Sequence, residues 1–234
     1  MSHTQCKTCF YSIKIRLVNL FIDLHAHTYP ASDDSNLTLP ELTIQSKAKG
    51  IDGICITDHD RFLDTNIAKD MTKEYGILVI PGAEVTTDNG HVLVFGLTGY
   101  VFGMHNPAFL KKLVDNAGGA IIAAHPYRRA YLPGKPRQSN TYRRMVLDAS
   151  TNPLYSISDA IETGNGRGSV EENIFSEDVR AILGMNGVGS SDSHTSNDIG
   201  KYATEFHTQI SDLYDLVSAL KSGLFSKVSL GNTN

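Results

Sequence analysis

The stretch "FIDLHAHT", residues 21–28, decides the fold, because an apolar run here ends in two histidines one residue apart. Side chains alternate between the two faces of a strand, so His25 and His27 point the same way. On a buried strand two neutral histidines are hard to satisfy, and two charged ones repel each other. A shared metal ion removes both problems because neutral imidazole is a metal ligand.

Strand-like and helix-like stretches alternate along the rest of the chain. The strand-like runs are IDGICITDH, ILVIPGAEVTT, HVLVFGL, GAIIAAHP, DAIET, NGVGSSDSH and YATEF. The clearest helix is SDLYDLVSALKSG, in which Leu213, Leu216, Val217 and Leu220 follow the i, i+3, i+4, i+7 pattern. Ser211 is its candidate N-cap residue. About seven such alternations predict an α/β fold with a parallel sheet, most simply a closed βα barrel.

The composition is that of an ordinary globular protein. The chain has 234 residues, of which 41% are hydrophobic and 20% are charged. The formal net charge of −4 argues against dedicated binding of long nucleic acids. No apolar run is long enough to cross a membrane, so we expect no membrane partner. Three cysteines make no disulfide framework, and we expect a cytoplasmic protein.

Residues 1–20 differ from the rest of the chain and are interpreted as a leader before a single domain over residues 21–234. The leader contains a lone C-x-x-C pair, Cys6 and Cys9, with no partners at zinc-site spacing. Lys14 and Arg16 interrupt its apolar stretch, which argues against a signal peptide. We therefore expect no metal at the cysteine pair.

Residues that can bind a metal recur at the ends of the other predicted strands. They are His59, Glu84, His91, His125, Asp192 and His194, with Asp33 or Asp34 just after the first strand. Asp58 falls on the opposite face from His59, so we expect it to support the site from behind. In a βα barrel all these side chains meet at the rim where active sites lie, and the sequence predicts a metal centre there.

These motifs together resemble a known family. DLHAHT, SDD, ITDHD, GAE, HVLVFG, AAHP and SSDSH occur in the order and context typical of the PHP (polymerase and histidinol phosphatase) family. The similarity covers roughly residues 20–230. It implies a distorted seven-stranded (β/α)7 TIM-like barrel that holds divalent metals.

The resemblance also implies three groups of ligands. The first metal would be held by His25, His27, Glu84 and Asp192. Glu84 would bridge to a second metal, completed by His91 and His125. A third would be held by Asp33, His59 and His194. The family usually has glycine where this chain has Asp34, so either Asp33 or Asp34 is the ligand, with Asp33 favoured.

The predicted cofactor is two to three divalent ions of zinc, manganese or iron, all of which accept these ligands. Such a centre carries positive charge and favours a phosphate group. A water shared by two ions would be deprotonated near neutral pH and could attack phosphorus. Asp192 and Glu84 would then be the catalytic carboxylates, and either Asp192 or a metal-bound water would protonate the leaving group.

A basic segment, PYRRAYLPGKPRQSNTYRR, comes directly after the ligand His125. On the active rim its Arg128 or Arg129 could bind a substrate phosphate. The segment ETGNGRGS adds Asn165 and Arg167 as further candidates for substrate binding.

The function predicted best is a phosphoric ester hydrolase that acts on a small phosphorylated metabolite or nucleotide. The alternative is a nuclease that trims short oligonucleotides, favoured by the basic, tyrosine-bearing segment. A non-catalytic metal-binding module for a protein partner is disfavoured because the ligand set looks complete. An amidohydrolase, which shares the H-x-H motif, is disfavoured by the D-x-H pair at 192–194.

Overall fold

The structure is a computed structural model that describes residues 19–231. Most of the predicted leader, including Cys6 and Cys9, lies outside the described residues. The first strand begins at Leu20, one residue before the predicted start of the domain. In the described part, no helix is long and apolar enough to span a membrane.

Ten strands are present. They are β1 Leu20–Ala26, β2 Gly53–Ile56, β3 Leu78–Pro81, β4 Ala83–Thr87, β5 Gly90–Phe95, β6 Ala120–Ala123, β7 Ala160–Asn165, β8 Gly187–Ser190, β9 Tyr202–Phe206 and β10 Phe225–Ser229. The seven helices are α1 Leu39–Ala48, α2 Thr65–Tyr75, α3 Pro107–Asn116, α4 Asn140–Ala149, α5 Leu154–Ile157, α6 Val170–Leu183 and α7 Leu213–Ser222. These counts refer to residues 19–231.

The strands form two mixed five-stranded sheets, ordered β10-β9-β1-β2-β3 and β4-β5-β6-β7-β8. β1, β2 and β3 pair in parallel, as do β6, β7 and β8. The pairings β1–β9, β9–β10, β4–β5 and β5–β6 are antiparallel. The predicted α/β class agrees with this architecture, but the prediction of one parallel, closed barrel is not confirmed.

The two sheets separate where the predicted run ILVIPGAEVTT splits into β3 and β4. Gly82 lies at the split, and a side chain there would come within 2.8 Å of the Phe95 ring. The glycine lets the chain leave β2 and turn into a hairpin with β5. The hydrophobic pattern shows one continuous strand-like run here. It does not reveal that the first half pairs with β2 and the second half with β5.

The main core lies between the sheets. Ile22, Leu93 and Val188 from the strands pack there with Leu216 and Leu220 of α7. α1 and α2 cover the outer face of the first sheet, and α4 and α6 cover the second. Beyond the carboxyl ends of β1 and β2 two isolated bridges link the sheets, Ala26 with Ser193 and His59 with Glu84. These bridges bring the predicted ligands of both sheets together.

One helix was not predicted from the sequence, and the cap of another was predicted one residue too early. Helix α4 begins at Asn140 within the basic segment and contains Arg143 and Arg144. Helix α7 is capped by Asp212 rather than Ser211, since the Asp212 side chain accepts a hydrogen bond from the backbone N–H of Asp215. Ser211 instead donates its hydroxyl to the Asp215 carboxylate.

Candidate metal centre

One carboxylate, that of Glu84, lies at the centre of the clustered histidines. Its Oε1 is 2.7 Å from Nε2 of His125 and 2.8 Å from Nδ1 of His91. Its Oε2 is 3.0 Å from Nδ1 of His59. The two oxygens therefore face different groups of histidines, as a carboxylate that bridges two cations must do.

The first predicted group of ligands converges on one point. Nε2 of His25 lies 3.4 Å from Glu84 Oε2 and 3.5 Å from Asp192 Oδ1. Nε2 of His27 lies 3.4 Å from each of the same two oxygens. Both histidines come from β1, and the alternation of its side chains places them side by side, with ring centroids 4.9 Å apart.

The donor atoms of this group fit a metal ion. The Nε2 atoms of His25 and His27, Oε2 of Glu84 and Oδ1 of Asp192 are buried and lack hydrogen-bond partners within residues 19–231. Four ligands that surround a tetrahedral ion at about 2.1 Å are about 3.4 Å from one another. The distances between the histidine nitrogens and the carboxylate oxygens match this spacing. His25, His27 and Glu84 place one donor atom each within 4.8 Å of one another, and Asp192 forms a comparable group with His25 and His125.

The second group lies on the other side of Glu84. His91 opens β5 and is close to Glu84 because the β4–β5 hairpin pairs Glu84 with Leu93, two residues further along the same face. His125 lies just beyond β6, and its ring centroid is 5.2 Å from that of His91. Glu84, His91 and His125 place one donor atom each within 4.8 Å of one another, a suitable spacing for a second ion.

The third group contains Asp34 rather than Asp33. Oδ2 of Asp34 lies 3.0 Å from Nε2 of His194 and 3.5 Å from Nε2 of His59. Asp33 is exposed, and no ion pair joins it to this group within the part of the chain that is described. The sequence favoured Asp33 from the family spacing, but the turn after β1 presents the next residue to the histidines.

A buried carboxylate that the sequence analysis missed lies behind His25. Oε1 of Glu162 is 3.1 Å from Nδ1 of His25 and also accepts a hydrogen bond from Ser190. Oε2 accepts hydrogen bonds from the backbone N–H of His125 at 2.7 Å and from the Asn165 amide at 3.0 Å. An acidic residue inside the apolar strand DAIET was the available signal, because a buried charge requires such partners.

Asp58 supports His27 in a similar way, through a serine. Asp58 accepts hydrogen bonds from the Thr28 hydroxyl at 2.7 Å and from the Ser32 hydroxyl at 2.8 Å. The Ser32 oxygen lies 3.3 Å from Nδ1 of His27. These contacts direct Nε2 of His27 toward Glu84 and Asp192, as second partners of metal-binding histidines usually do.

The excess of buried carboxylates in the cluster also favours binding of a cation. Burial lowers the pKa of His25, but Asp192, Glu84 and Glu162 outweigh it and raise the pKa well above its ordinary value. Burial and the neighbouring His25 lower the pKa of His27 to about 4. The carboxylates thus draw positive charge to the point where the unpartnered atoms meet, and His27 is neutral, as a ligand must be.

Asp192 is held as an ionised side chain. Burial raises its pKa, but His25, His125 and His27 outweigh this effect and hold the pKa far below its usual range. Its Oδ2 accepts hydrogen bonds from Arg128 at 2.7 Å and from Asn165 at 3.1 Å. The remaining oxygen, Oδ1, faces His25 and His27.

Asn165 faces the protein interior. Its amide donates to Asp192 and to Glu162. Its carbonyl oxygen accepts from the Tyr127 hydroxyl and from the backbone N–H of Arg167. These contacts position two carboxylates, and the role of Asn165 in substrate binding stays a prediction.

The predicted arginines differ in their surroundings. The Arg128 side chain is 37% exposed and is anchored to Asp192 through Nη2. Nη1 of Arg167 lies 2.9 Å from Nδ1 of His194. Arg129 is exposed and has a left-handed backbone, with φ of 65°. Arg137, by contrast, is paired with Asp178 of α6, away from the cluster.

The cluster opens to solvent on one side. The side chains of His25, His27, Glu84 and Asp192 are at most 1% exposed and form its floor. His59 and His91 are 30% and 25% exposed, and Asp34 is 50% exposed. Arg128 joins these residues at the rim, so a ligand reaches the cluster between histidines, a carboxylate and an arginine.

Comparison with known proteins finds two family models and a curated relative that match this chain. A family model described as "PHP domain" matches residues 23–161, and one described as "PHP-associated" matches residues 170–224. A probable phosphatase of Enterobacter sp. strain 638 is 27% identical over 202 residues, which cover 77% of this chain and 81% of that protein.

Solved structures share the fold. A two-domain protein from Bacteroides vulgatus, described as containing a predicted PHP-like metal-dependent phosphoesterase, has a TM-score of 0.60 at 17% identity. That likeness covers 91% of this chain, which spans only 65% of the length of the Bacteroides protein. PsfC from Pseudomonas syringae has a TM-score of 0.59 at 17% identity, with 90% of this chain and 91% of PsfC covered.

Proposed function

Because the chain belongs to the PHP domain family, we propose that it is a metal-dependent phosphoesterase that hydrolyses esters of a small phosphorylated metabolite or nucleotide. The observation that carries the proposal is the convergence of unpartnered buried atoms from His25, His27, Glu84 and Asp192 on one point at the floor of an open site. One shared cation would satisfy these atoms together.

The proposed ligands follow the three groups of side chains. The first ion would be held by His25, His27, Glu84 and Asp192. Glu84 would be shared with a second ion, held also by His91 and His125. The third would be held by Asp34, His59 and His194. When bound, such ions supply an activated water and neutralise the charge that develops on the phosphate oxygens.

Charged side chains of the protein surround this centre and can orient a bound phosphate. Arg128 keeps one guanidinium nitrogen on Asp192 and has others available for a phosphate oxygen at the rim. Arg167, beside His194, and Arg129 can add positive charge on the same side. The pKa of Asp192 is held below its usual range by the neighbouring histidines, which fits an ionised ligand, and either Asp192 or a metal-bound water would protonate the leaving group.

A phosphate-release screen tests the proposal. The purified protein is assayed with zinc, manganese or iron against sugar phosphates, nucleotides and short oligonucleotides, with and without a chelator. We expect release from at least one small ester that stops on chelation and returns with the metal. Metal binding without release from any of these compounds would instead support a non-catalytic module.

The nuclease alternative loses part of its support in the structure. Arg137 is paired with Asp178, and Arg144 lies 3.3 Å from Asp148 on the surface of α4. Neither of these two basic residues is therefore held toward the metal cluster. The small-ester proposal needs only Arg128, Arg129 and Arg167.

A further inference from the structure

A cavity of about 530 Å³ adjoins the candidate metal centre on the side of β5 and β6. His91 and His125 form part of its wall, so the cavity and the cluster share two side chains. Arg128 and Arg129 also line it. A group attached to a phosphate at the cluster can therefore extend into this space without leaving the protein surface.

The walls of the cavity are built by the segment between β6 and β7. The end of α4 contributes Asp148 and Ala149, and α5 contributes Leu154 and Tyr155. Asn152 donates its amide to the backbone carbonyl of Asn89 at 2.9 Å, which ties this segment to the β4–β5 hairpin. The segment is thus held in place over the cavity by a hydrogen bond between two separate parts of the chain.

Small residues leave the space open. Ala123 at the end of β6, Ala124 just after it and Ala149 at the end of α4 all line the cavity. Leu154, Tyr155 and Pro126 add apolar lining.

The polar groups lie in two sets. The first is Arg128 and Arg129, next to the cluster, where a phosphate would lie. The second is Asp148, Thr151 and Asn89, whose carboxylate, hydroxyl and amide groups can exchange hydrogen bonds with hydroxyl groups, with Asp148 also lying 3.3 Å from Arg144. The lining is about as polar as it is apolar, which suits a hydroxylated ligand, and the volume lies within the range of roughly 300–1,000 Å³ that is usual for sites of small organic ligands.

We propose that this cavity binds the organic part of the phosphoester, and that this part is a hydroxylated ring of the size of a sugar or a nucleoside. The inference rests on the proposed function, since it assumes that the phosphate occupies the neighbouring cluster. It adds that the segment around α4 and α5 selects the substrate, whereas the histidines and carboxylates recognise only its phosphate.

A filling variant tests the inference. Ala149 is half-buried on the cavity wall, so Ala149→Phe places a ring in the space without changing the cluster. Leu147→Phe on the same helix is the matched control, because Leu147 is 52% exposed and lies outside the lining. Thermal unfolding and metal content of both variants are measured first and should match the unmodified protein.

Binding is then measured by calorimetry with metal-loaded protein. The probes are a nucleoside 5′-monophosphate, a hexose phosphate, methyl phosphate and inorganic phosphate. We expect Ala149→Phe to weaken binding of a ring-bearing ester by about tenfold or more, the loss expected when a ring of this size is no longer buried. Methyl phosphate and inorganic phosphate should bind as before, and Leu147→Phe should change nothing.

The outcomes separate the inference from the proposed function. An effect on the nucleotide alone identifies a nucleoside, and an effect on the hexose phosphate alone identifies a sugar. Equal effects on all four probes, or no effect on either ring-bearing ester, would overturn the inference. A third outcome is possible: Ala149→Phe selectively weakens the binding of ring-bearing esters, but the protein releases no phosphate from any ester. That result would support ring binding by the cavity and would refute the proposed hydrolase activity.

Discussion

Oε1 of Glu162 lies 3.1 Å from Nδ1 of His25, and both side chains are fully buried. An ionised carboxylate only accepts hydrogen bonds, so Nδ1 of His25 carries a proton, and Nε2 is the ring nitrogen that faces Glu84 and Asp192 and would bind a cation once its own proton is displaced. Burial raises the pKa of Glu162, but His25 and His125 outweigh it and the net pKa is below its ordinary value, which keeps this carboxylate ionised. Glu162 therefore orients His25, the proposed metal ligand, without itself binding the metal.

Glu162→Gln should weaken metal binding without removing any ligand. The amide keeps the size of the side chain but cannot accept every hydrogen bond that the carboxylate accepts, so His25 loses its fixed orientation. We expect metal affinity to fall by about 10- to 100-fold, as measured by competition with a chromophoric chelator. Glu177→Gln is the control, because Glu177 is 38% exposed on α6 and pairs with Arg180 and Lys227. Equal affinity in the two variants would contradict the role given to Glu162.

The two neighbouring aspartates after β1 should behave differently. Asp34→Ala should reduce the number of ions bound per chain because it removes the carboxylate closest to His194. Asp33→Ala should leave the number unchanged, since Asp33 is exposed. Elemental analysis of both proteins after gel filtration decides between them, and a loss of metal in the Asp33 variant alone would restore the interpretation drawn from the family spacing.

Metal affinity should rise with pH between about pH 6 and 8. In the metal-free protein the pKa of His25 is raised well above its ordinary value, so His25 carries a proton near neutral pH. A cation that binds Nε2 must displace that proton, and lower pH therefore opposes binding. The expected slope approaches about one logarithmic unit of affinity per pH unit for one proton. Chelator competition at several pH values measures it, and a flat profile would show that no proton is displaced.

Arg128 and Arg137 belong to the same basic segment but should differ in kinetics. Arg128→Ala or Arg129→Ala should raise KM, and should lower kcat where the contact strengthens in the transition state. Arg137→Ala should leave both unchanged because its guanidinium is bound to Asp178. If KM and kcat are unchanged in the Arg128 and Arg129 variants, these side chains do not bind substrate and are only solvated surface residues.

Salt dependence separates the two substrate classes in the same assays. A small ester should show a shallow dependence that Arg143→Ala and Arg144→Ala do not alter. For an oligonucleotide that contacts several phosphates, removal of both arginines should flatten the salt slope by about one to two units. We expect the shallow dependence.

The sequence predicted which histidines and carboxylates cluster better than it predicted the architecture, and the reason is local. His25 and His27 are two apart on one strand, so alternation alone places them together. The turn between β1 and α1 was ambiguous because Asp33 and Asp34 are chemically identical, and only the path of the backbone determines which carboxylate reaches His194. The chain passes from one sheet to the other at Gly82, where it packs against Phe95. The hydrophobic periodicity of the sequence does not predict this contact.

Supporting residues were harder to predict than ligands. Asp58 was found because it is next to His59 and must point to the opposite face. Glu162 was missed because its partners, His25 and Ser190, are distant in the chain, and a single acidic residue in a strand carries no spacing signal. Asn165 was placed in the substrate pocket by position alone, whereas its hydrogen bonds to Glu162 and Asp192 give it a structural task.

The central claim is that the clustered histidines and carboxylates bind metal and that this metal supports hydrolysis. The most direct measurement is metal content, by elemental analysis, together with phosphate release for the unmodified protein and His25→Ala, each after chelation and after reloading. We predict about two to three divalent ions per chain in the unmodified protein, loss of at least one in the variant, and activity lower by orders of magnitude. Full metal content and full phosphate release in His25→Ala would contradict the account.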